Sequence, residues 1–348
     1  MNGTIRHIND ELTTHERQLF RGAEAHEQDY VDIIGQFAKI ITPIGILLNA
    51  ILFVVIRVKS MRTIINVHLS NLAVADATHL ILIMSTAWAI EYTHTDSGAY
   101  LALIIASSTV HLASYCFVSV IAVERFSAVR QPLTQRARAS KSRAAKVSAG
   151  VWVVAVVTGV LGGLAFNTNY VTNVVFSQVC VAILLLIHLA TFTITVSSYI
   201  YIVVKLCHSD RKRQAGQTRR VYPVVRMLII NTAVFFVLNS MDIAFTVINL
   251  ILLFSLHSGA EAVLDIFWTS LDLSFCIAIF RPINCSINTL VYSVTSSQYR
   301  AAFLEAFPPL AKLLRQRRRC CRPQQTEQIE LRTIPPAKAA QESPVQAI

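Results

Sequence analysis

Residues Val174–Leu206 read VVFSQVCVAILLLIHLATFTITVSSYIYIVVKL, and no Asp, Glu, Lys or Arg appears among them before Lys205. A helix needs about 20 residues to cross a hydrocarbon core of ~30 Å, so this stretch is long enough to span a bilayer. A helix also satisfies its own backbone donors and acceptors where no water is present. The stretch therefore predicts a membrane-spanning helix.

Six further apolar runs accompany this one. The seven predicted spans are Ile33–Ile56, Val67–Ile90, Ala99–Val123, Val147–Phe166, Val174–Leu206, Val224–Phe254 and Ala262–Val294. Charged residues make up only 15% of the 348-residue chain, whereas soluble domains have about 25%. We therefore predict an all-α membrane protein in which residues 33–294 form a seven-transmembrane helix bundle.

The basic residues are distributed by membrane side. Of the 31 Lys and Arg residues, 26 lie in or beside the segments that follow the first, third, fifth and seventh spans. The loops on the opposite side contain acidic residues and no Lys or Arg. Because positive residues mark the cytoplasmic side, we predict a multi-pass cell-membrane protein with residues 1–32 as an extracellular tail and a cytoplasmic C-terminus. This placement argues against a nucleic-acid partner, despite the net charge of +11.

The predicted outer tail contains no apolar segment of the signal-peptide kind, so the first span is expected to direct membrane insertion. Asn2-Gly3-Thr4 matches the acceptor pattern for N-glycosylation. Asn2 is therefore a candidate glycosylation site, and a chance tripeptide is the alternative.

Polar side chains interrupt the spans, although hydrocarbon penalises them. Asp76 lies in the middle of the second span, where an isolated carboxylate would be protonated or paired. Its candidate partners are Asn49 in the first span, Ser114 in the third, and Asn284 and Asn288 in the seventh. Oxygen ligands of this kind suit a small hard cation or a water cluster. A hydrogen-bonded packing network without an ion is the alternative.

Short motifs follow one another along the spans in a specific order. They are GILLN at residues 45–49, LAVAD at 72–76, Glu124-Arg125-Phe126, Trp152, YIYI at 199–202 and NTLVY at 288–292. Together they resemble the motifs of the rhodopsin-like (class A) G-protein-coupled receptors. The likeness covers roughly residues 35–305.

The resemblance implies a switch at the inner end of the third span. In the family, the Arg of this motif is held by local pairing at rest and meets a G protein on activation. Arg125, paired with Glu124, is expected to take this role, steadied by Tyr199 and Tyr292. Snorkelling of Arg125 to lipid headgroups is the alternative.

The resemblance also implies an allosteric sodium ion. Four residues match the family's sodium pocket: Asp76, Ser114, Asn284 and Asn288. Sodium is the only cofactor that we expect.

The chain departs from the family pattern in several places. Tyr100 stands where the family has a disulfide-bonded Cys, and Cys180 then has no partner, so we predict no structural disulfide. The fifth and sixth spans lack their usual Pro, and Thr289 replaces the Pro of the seventh. A helix without such a Pro kinks less readily. A receptor-fold protein that no longer signals is therefore an alternative.

The resemblance also narrows the ligand class. An opsin would need a Lys where this chain has Pro282, and an amine receptor would need an Asp where it has Ser107. The candidate ligand-pocket residues are instead His79, His111, Asp242 and Arg281. Alternatively, the two histidines are core residues whose hydrogen bonds are satisfied within the protein. Arg281 fits either a structural bridge to Asp242 or an anchor for an acidic group, such as a peptide carboxyl. A peptide-like ligand is the expectation.

The segment after the seventh span has an amphipathic pattern. Residues 295–309 predict an eighth helix lying in the membrane interface, with Tyr299, Phe303 and Phe307 on one face. Residues 310–348 predict a cytoplasmic tail that is first basic and then disordered. Cys320 and Cys321 are candidate palmitoylation sites, with unmodified thiols as the alternative.

Catalytic constellations, metal-ligand spacings and phosphate-binding loops are not visible, so we expect no enzyme. The expected partners are a heterotrimeric G protein, an extracellular ligand and membrane lipids. A seven-helix transporter or channel is the competing class, in which Asp76, Asp242 and Arg281 line a path. The internal repeats common among transporters are not apparent.

Overall fold

A computed structural model describes residues 14–61, 63–92, 98–134, 140–166, 174–211, 222–255 and 260–313. These residues are almost all helical, and no strand occurs among them. The helices are α1 (Thr14–Arg57), α2 (Ile64–Tyr92), α3 (Gly98–Arg130), α4 (Lys141–Phe166), α5 (Val174–Arg211), α6 (Tyr222–Ser255), α7 (Ala260–Thr295) and α8 (Ser297–Ala306). A 3₁₀ turn at Lys59–Met61 links α1 to α2.

Helices α1 to α7 each contain a stretch long and apolar enough to cross a membrane. These stretches are Asp32–Arg57, Ile64–Thr86, Gly98–Arg130, Lys141–Leu164, Val175–His208, Ala233–Leu252 and Asp272–Val294. The predicted seven-transmembrane helix bundle is therefore confirmed, and α8 is compatible with the predicted eighth helix. Helix α1 begins at Thr14, well before the predicted first span, so part of the predicted tail is helical.

Serine side chains begin two of the helices. Ser140 Oγ accepts a hydrogen bond from the backbone N–H of Arg143 at 3.1 Å, and Ser296 Oγ accepts one from that of Tyr299 at 3.1 Å. An N-cap hydroxyl satisfies a donor that has no partner inside its helix. Burial of Tyr299, whose ring lies 6.5 Å from that of Tyr292, raises its pKa to about 12. These contacts fix α8 against the end of α7.

The spanning helices pack as a closed ring. Each helix from α1 to α7 contacts the next in sequence, and α7 returns to contact α1. Helix α3 also contacts α5, and α2 also contacts α4 and α7. Side chains of α2, α3, α5, α6 and α7 can therefore meet inside the ring.

Two glycines let α4 approach α3 closely. A Cβ atom on Gly159 would lie 2.7 Å from Cα and 2.8 Å from the backbone N of Thr109, and one on Gly163 would collide with Ile105. Small residues four apart bring the backbones of membrane helices into contact in this way. The close approach places α4 against the part of α3 that carries His111.

The bundle is polar inside and apolar outside. Ile40 is 67% exposed and Leu186 is 66% exposed, whereas Asn49, Asp76 and Asn239 are fully buried. Apolar side chains suit a surface that faces lipid, and polar groups at membrane depth face the bundle interior. Functional side chains are therefore expected in the interior of the bundle.

Candidate functional site

Polar and aromatic side chains from five helices meet inside the ring. We call this group the histidine cluster. Its members are His79 on α2, Ser107, His111 and Tyr115 on α3, His188 on α5, Asp242 on α6 and Arg281 on α7.

An ion pair joins α6 to α7 within the histidine cluster. Nε of Arg281 donates to Oδ1 of Asp242 at 2.8 Å, and Nη2 lies 2.7 Å from the same oxygen. The Asp242 side chain is only 4% exposed, whereas that of Arg281 is 32% exposed. The predicted bridge between these residues is therefore confirmed, and it leaves part of the guanidinium accessible.

Three histidine rings surround this ion pair. The rings of His79 and His111 are 5.2 Å apart, and those of His111 and His188 are 6.4 Å apart. The Oγ atom of Ser107 lies 3.4 Å from Nδ1 of His79. The Nε2 atoms of His79 and His111 and both ring nitrogens of His188 are buried without a hydrogen bond of regular geometry among the described residues, although the backbone carbonyl of Leu184 lies near the His188 ring. Buried polar atoms usually have a partner, so these nitrogens need an explanation.

The nearest acceptor does not supply that partner. Nε2 of His111 lies 3.7 Å from Oδ1 of Asp242, which is too long for a hydrogen bond. That oxygen already accepts from Arg281. The imidazole contributes to the electrostatic surroundings of Asp242 but remains unsatisfied.

Two cavities adjoin the histidine cluster. One, of about 90 Å³, is bounded by α3 to α7 and lined by His111, His188 and Arg281. The other, of about 290 Å³, is bounded by α1, α2, α3 and α7 and lined by His79 and Arg281. Ser107, Ser108 and Arg281 line both cavities. Arg281 and these serines thus form the wall between them.

Aromatic rings extend the histidine cluster toward α6. Tyr115 packs edge-on against His188 at 5.2 Å and lies 5.5 Å from Phe235, which in turn stacks on Phe192 at 6.1 Å. These rings fill the centre of a bundle whose sixth helix lacks the Pro usual in the family. The histidine cluster is therefore continuous with the packing between α3, α5 and α6.

A second polar group surrounds Asp76, and we call it the Asp76 cluster. Ser114 Oγ donates to Oδ1 at 2.5 Å, and Asn288 Nδ2 donates to Oδ2 at 2.9 Å. The thiol of Cys285 lies close to the carboxylate. Asn49 Nδ2 donates to the carbonyl of Cys285 at 2.8 Å, while Asn49 Oδ1 is buried without a partner among the described residues. Both Asp76 oxygens are therefore satisfied by side chains.

The structure does not bring Asn284 to Asp76. Asn284 Nδ2 instead donates to Oδ1 of Asn239 on α6 at 3.3 Å. Asn284 and Asn288 share a helix face, but the neighbouring helices separate their partners. The place of Asn284 in a sodium pocket stays a prediction that this geometry does not favour.

Helix α7 has a proline away from the predicted motif position. Pro282 lies inside α7, where a missing N–H interrupts the backbone ladder and favours a kink. Thr289, which stands in the place of the family's Pro, donates to the carbonyl of Leu48 on α1 at 2.9 Å. The threonine thus joins two helices, and the kink-prone point lies two turns earlier.

Arg125 lies among tyrosines at the end of α3. Its guanidinium is 5.8 Å from the ring centroid of Tyr292, and Tyr199 is its other main electrostatic neighbour. Tyr199 is 1% exposed and packs against Ala122 and Ile202. Arg125, Tyr199 and Tyr292 are therefore brought together as the sequence predicts.

The structure shows Glu124 in a contact with a different helix, and its predicted pairing with Arg125 stays a prediction. Oε1 of Glu124 lies 3.8 Å from Nη2 of Arg143 on α4. Adjacent helical residues point in different directions, so neighbours in sequence do not face each other. The Arg143 side chain is 48% exposed, and such a pair contributes about 1 kcal/mol or less.

Three predicted modification sites lie outside the described residues: Asn2, Cys320 and Cys321. The cysteines that the structure describes, Cys116, Cys180, Cys207, Cys276 and Cys285, form no disulfide with one another. The absence of a structural disulfide from the whole chain stays a prediction. Within the described ranges, no group of three or more His, Cys, Asp or Glu side chains is placed to hold a metal ion.

Sequence reasoning missed His188, Tyr115 and Cys285. His188 was detectable as a polar residue in the middle of an apolar span, which hydrocarbon penalises. Tyr115 and Cys285 look like ordinary membrane residues in the sequence. Only the packing of the helices gives them polar neighbours.

Comparisons with known proteins agree with this architecture. A family model described as 7 transmembrane receptor (rhodopsin family) matches residues 49–292. Mouse G-protein coupled receptor 35 is 26% identical over 287 residues, which cover 76% of this chain and 86% of the relative. Rat somatostatin receptor type 4 is 26% identical over 279 residues (75% and 68%). Rat somatostatin receptor type 5 is 25% identical over 290 residues (73% and 71%).

Proposed function

Since this chain belongs to the rhodopsin family of seven-transmembrane receptors, we propose that it passes the binding of an extracellular ligand to a heterotrimeric G protein. The observation that carries the proposal is the position of Arg125. Its guanidinium lies beside Tyr292 of α7 and Tyr199 of α5. An arginine held by weak contacts among three helices can move when those helices repack.

The switch is a shift between two helix packings. A ligand that prefers one packing changes its population by the difference in binding free energy between the two. A cation over an aromatic ring contributes only about 0.5–2 kcal/mol, so a modest ligand preference suffices to release Arg125 from Tyr292. Glu124 lies 3.8 Å from Arg143 on α4, so part of its charge is engaged away from Arg125.

The orientation follows from charge. Helix ends followed by basic segments face the cytoplasm, so the N-terminus is extracellular and Arg125 faces the G protein. The ligand then enters from the side of the histidine cluster. Two of the relatives are named as somatostatin receptors, and a peptide-like ligand fits the same role here.

Sodium is the proposed allosteric ion of the Asp76 cluster. The oxygens of Asp76, Ser114 and Asn49 fit a hard cation, and Asn49 Oδ1 has no partner among the described residues. A single carboxylate suits a monovalent ion better than a divalent one. Bound sodium would supply positive charge that holds α1, α2, α3 and α7 together.

The proposal is tested with Arg125→Ala in cells that carry promiscuous Gα subunits and a second-messenger reporter. Arg130→Ala is the matched control, because Arg130 lies farther along α3, is exposed and contacts Phe126. We expect the wild type and the control to raise the messenger in a ligand screen, and Arg125→Ala to fail at equal surface expression. Solute uptake without any G-protein response would instead indicate a transporter. Silence of all three proteins would indicate a receptor fold that does not signal.

A further inference from the structure

We propose that the histidine cluster binds a carboxylate, which Arg281 anchors at the wall between the two cavities. The inference rests on the proposed receptor function and goes beyond it by naming the chemical group that the ligand must carry. The group can come from a small organic acid or from the C-terminus of a peptide. The chemistry at Arg281 is the same for both sources.

The first observation is the unused bonding capacity of Arg281. Both contacts to Asp242, from Nε and from Nη2, end on the single oxygen Oδ1. A guanidinium has five N–H donors in a fixed plane, so this geometry leaves Nη1 for another acceptor. Arg281 keeps 32% of its side chain exposed, and that exposed part borders both cavities.

The second observation is the set of buried nitrogens without partners. Neither ring nitrogen of His188 forms a hydrogen bond of regular geometry among the described residues, although the backbone carbonyl of Leu184 lies near the ring, and His111 has none at Nε2. Each imidazole carries at least one N–H donor. Because both histidines line the same cavity as Arg281, a ligand placed there gains hydrogen bonds that the protein alone does not make. An unsatisfied buried donor costs about 1–3 kcal/mol, which such a ligand recovers.

The third observation is the shape of the space. The smaller cavity of about 90 Å³ has room for a carboxyl group or a few waters, and the adjoining cavity of about 290 Å³ has room for the body of a small ligand. The larger cavity also has apolar walls from Ile83, Ile104 and Ala278. A molecule with a carboxylate head and an apolar body fits both spaces at once.

The charge of the site favours a singly charged anion. Arg281 repels an ammonium group, and Asp242 is already engaged with Arg281. A doubly charged phosphate would bring more uncompensated charge into a poorly hydrated interior. A carboxylate offers acceptors only and matches the arginine fork.

The ion pair by itself does not account for these features. A structural bridge explains why Arg281 lies opposite Asp242, but it leaves the nitrogens of His188 unexplained. It also explains neither the two cavities nor the exposed edge of the guanidinium. A bound carboxylate would occupy the cavities and accept from the exposed edge of the guanidinium and from the N–H of His188. By competing with Asp242 for Arg281, it would weaken the link between α6 and α7.

The test measures binding to the purified full chain in lipid nanodiscs, without a G protein. The small-molecule probes are indole-3-acetate and its neutral amide, indole-3-acetamide. The peptide probes are the tripeptide Ala-Leu-Phe with a free C-terminus and the same peptide amidated. Binding is read from the shift in unfolding temperature as each probe is titrated.

Three variants accompany the wild type. Arg281→Gln alone leaves Asp242 unpaired and destabilises the fold, so the informative variant is the double substitution Asp242→Asn with Arg281→Gln. Arg300→Gln is the matched control, because Arg300 lies on α8, outside both cavities, and bonds the carbonyls of Ser293 and Val294. His188→Leu removes neutral donors only.

We expect at least one acid to bind and its amide to bind about tenfold or more weakly. The double variant should bind the acid about tenfold or more weakly than the wild type. His188→Leu should bind it about threefold to tenfold more weakly, and Arg300→Gln should bind it as the wild type does. The pair of probes that shows this difference between acid and amide, either the indole pair or the tripeptide pair, identifies the source of the carboxylate as a small acid or a peptide terminus. Equal binding of acid and amide, binding that survives in the folded double variant, or no binding of either acid would overturn the inference. Binding without G-protein activation would contradict the proposed function alone.

Discussion

The two polar clusters inside this bundle differ in how well their atoms are satisfied. Around Asp76, both carboxylate oxygens accept hydrogen bonds, from Ser114 and from Asn288. Around Arg281, a similar number of helices meet, yet histidine nitrogens remain without partners among the described residues and two cavities adjoin them. The first cluster is complete as a structural element apart from Asn49 Oδ1. The second leaves polar atoms that a bound ligand could satisfy.

This difference separates two roles for buried polar groups. A satisfied network holds helices in one arrangement, because each bond lost in a hydrocarbon interior has no water to replace it. An unsatisfied network instead has donors and acceptors that can form hydrogen bonds with a ligand. The two clusters lie on shared helices, α2, α3 and α7, so a change at Arg281 can reach Asp76 and then Tyr292 through α7.

The largest expected effect comes from breaking the ion pair. Arg281→Gln leaves Asp242, which is 4% exposed, as an uncompensated buried charge, and should destabilise the fold by about 3–5 kcal/mol. Asp242→Asn in the same chain should recover most of that loss. Thermal unfolding in nanodiscs measures both. If Arg281→Gln were as stable as the wild type, the ion pair would not contribute to the stability of the fold.

The next effect concerns the wall behind His111. Gly159→Ala places a methyl group against the backbone of Thr109 and should cost about 1–3 kcal/mol through overpacking. Gly150→Ala is the matched control, since a Cβ there meets nothing within 4 Å. The control should unfold at or slightly above the wild-type temperature. Equal unfolding of the two variants would contradict the close approach of α3 and α4.

A smaller effect is expected within the Asp76 cluster. Asp76→Asn keeps an acceptor for Ser114 but turns an amide NH₂ toward Asn288, so one bond is lost at a cost of about 1–2 kcal/mol. Sodium chloride should raise the unfolding temperature of the wild type more than choline chloride does, and this difference should vanish in Asp76→Asn. An equal response to sodium in both proteins would show that sodium does not bind at the Asp76 cluster.

The smallest effect concerns a single neutral hydrogen bond. Trp152 Nε1 donates to Oδ1 of Asn71 at 3.1 Å between α4 and α2. Trp152→Phe removes the donor but keeps most of the ring contact with Phe117, so we expect a loss of about 1 kcal/mol. An unchanged unfolding temperature would mean that the bond is replaced locally.

The spans and the ion pair were predictable because they follow from local properties. Length and hydropathy fix a membrane span within one stretch of sequence. A charged residue in hydrocarbon needs an opposite charge, and few are available inside the predicted spans, so Asp242 was identified as a partner of Arg281. The order of motifs along the chain likewise predicted that Arg125 lies near Tyr199 and Tyr292.

The finer pairings depend on the helix packing and were not predictable. Asn284 and Asn288 lie four residues apart on one helix face, yet only Asn288 reaches Asp76. Glu124 pairs with Arg143 on a different helix, which no spacing rule indicates. His188 escaped notice because a single neutral polar residue barely changes the hydropathy of a long span.

The central claim is that movement of the bundle reaches a G protein through Arg125. Its most direct test is guanine-nucleotide exchange on a panel of purified heterotrimers, with the chain in nanodiscs and with any ligand found in the cell screen. We predict that the wild type and Arg130→Ala accelerate exchange on at least one heterotrimer and that Arg125→Ala, folded to the same extent, does not. Equal exchange by Arg125→Ala and the wild type would contradict the account.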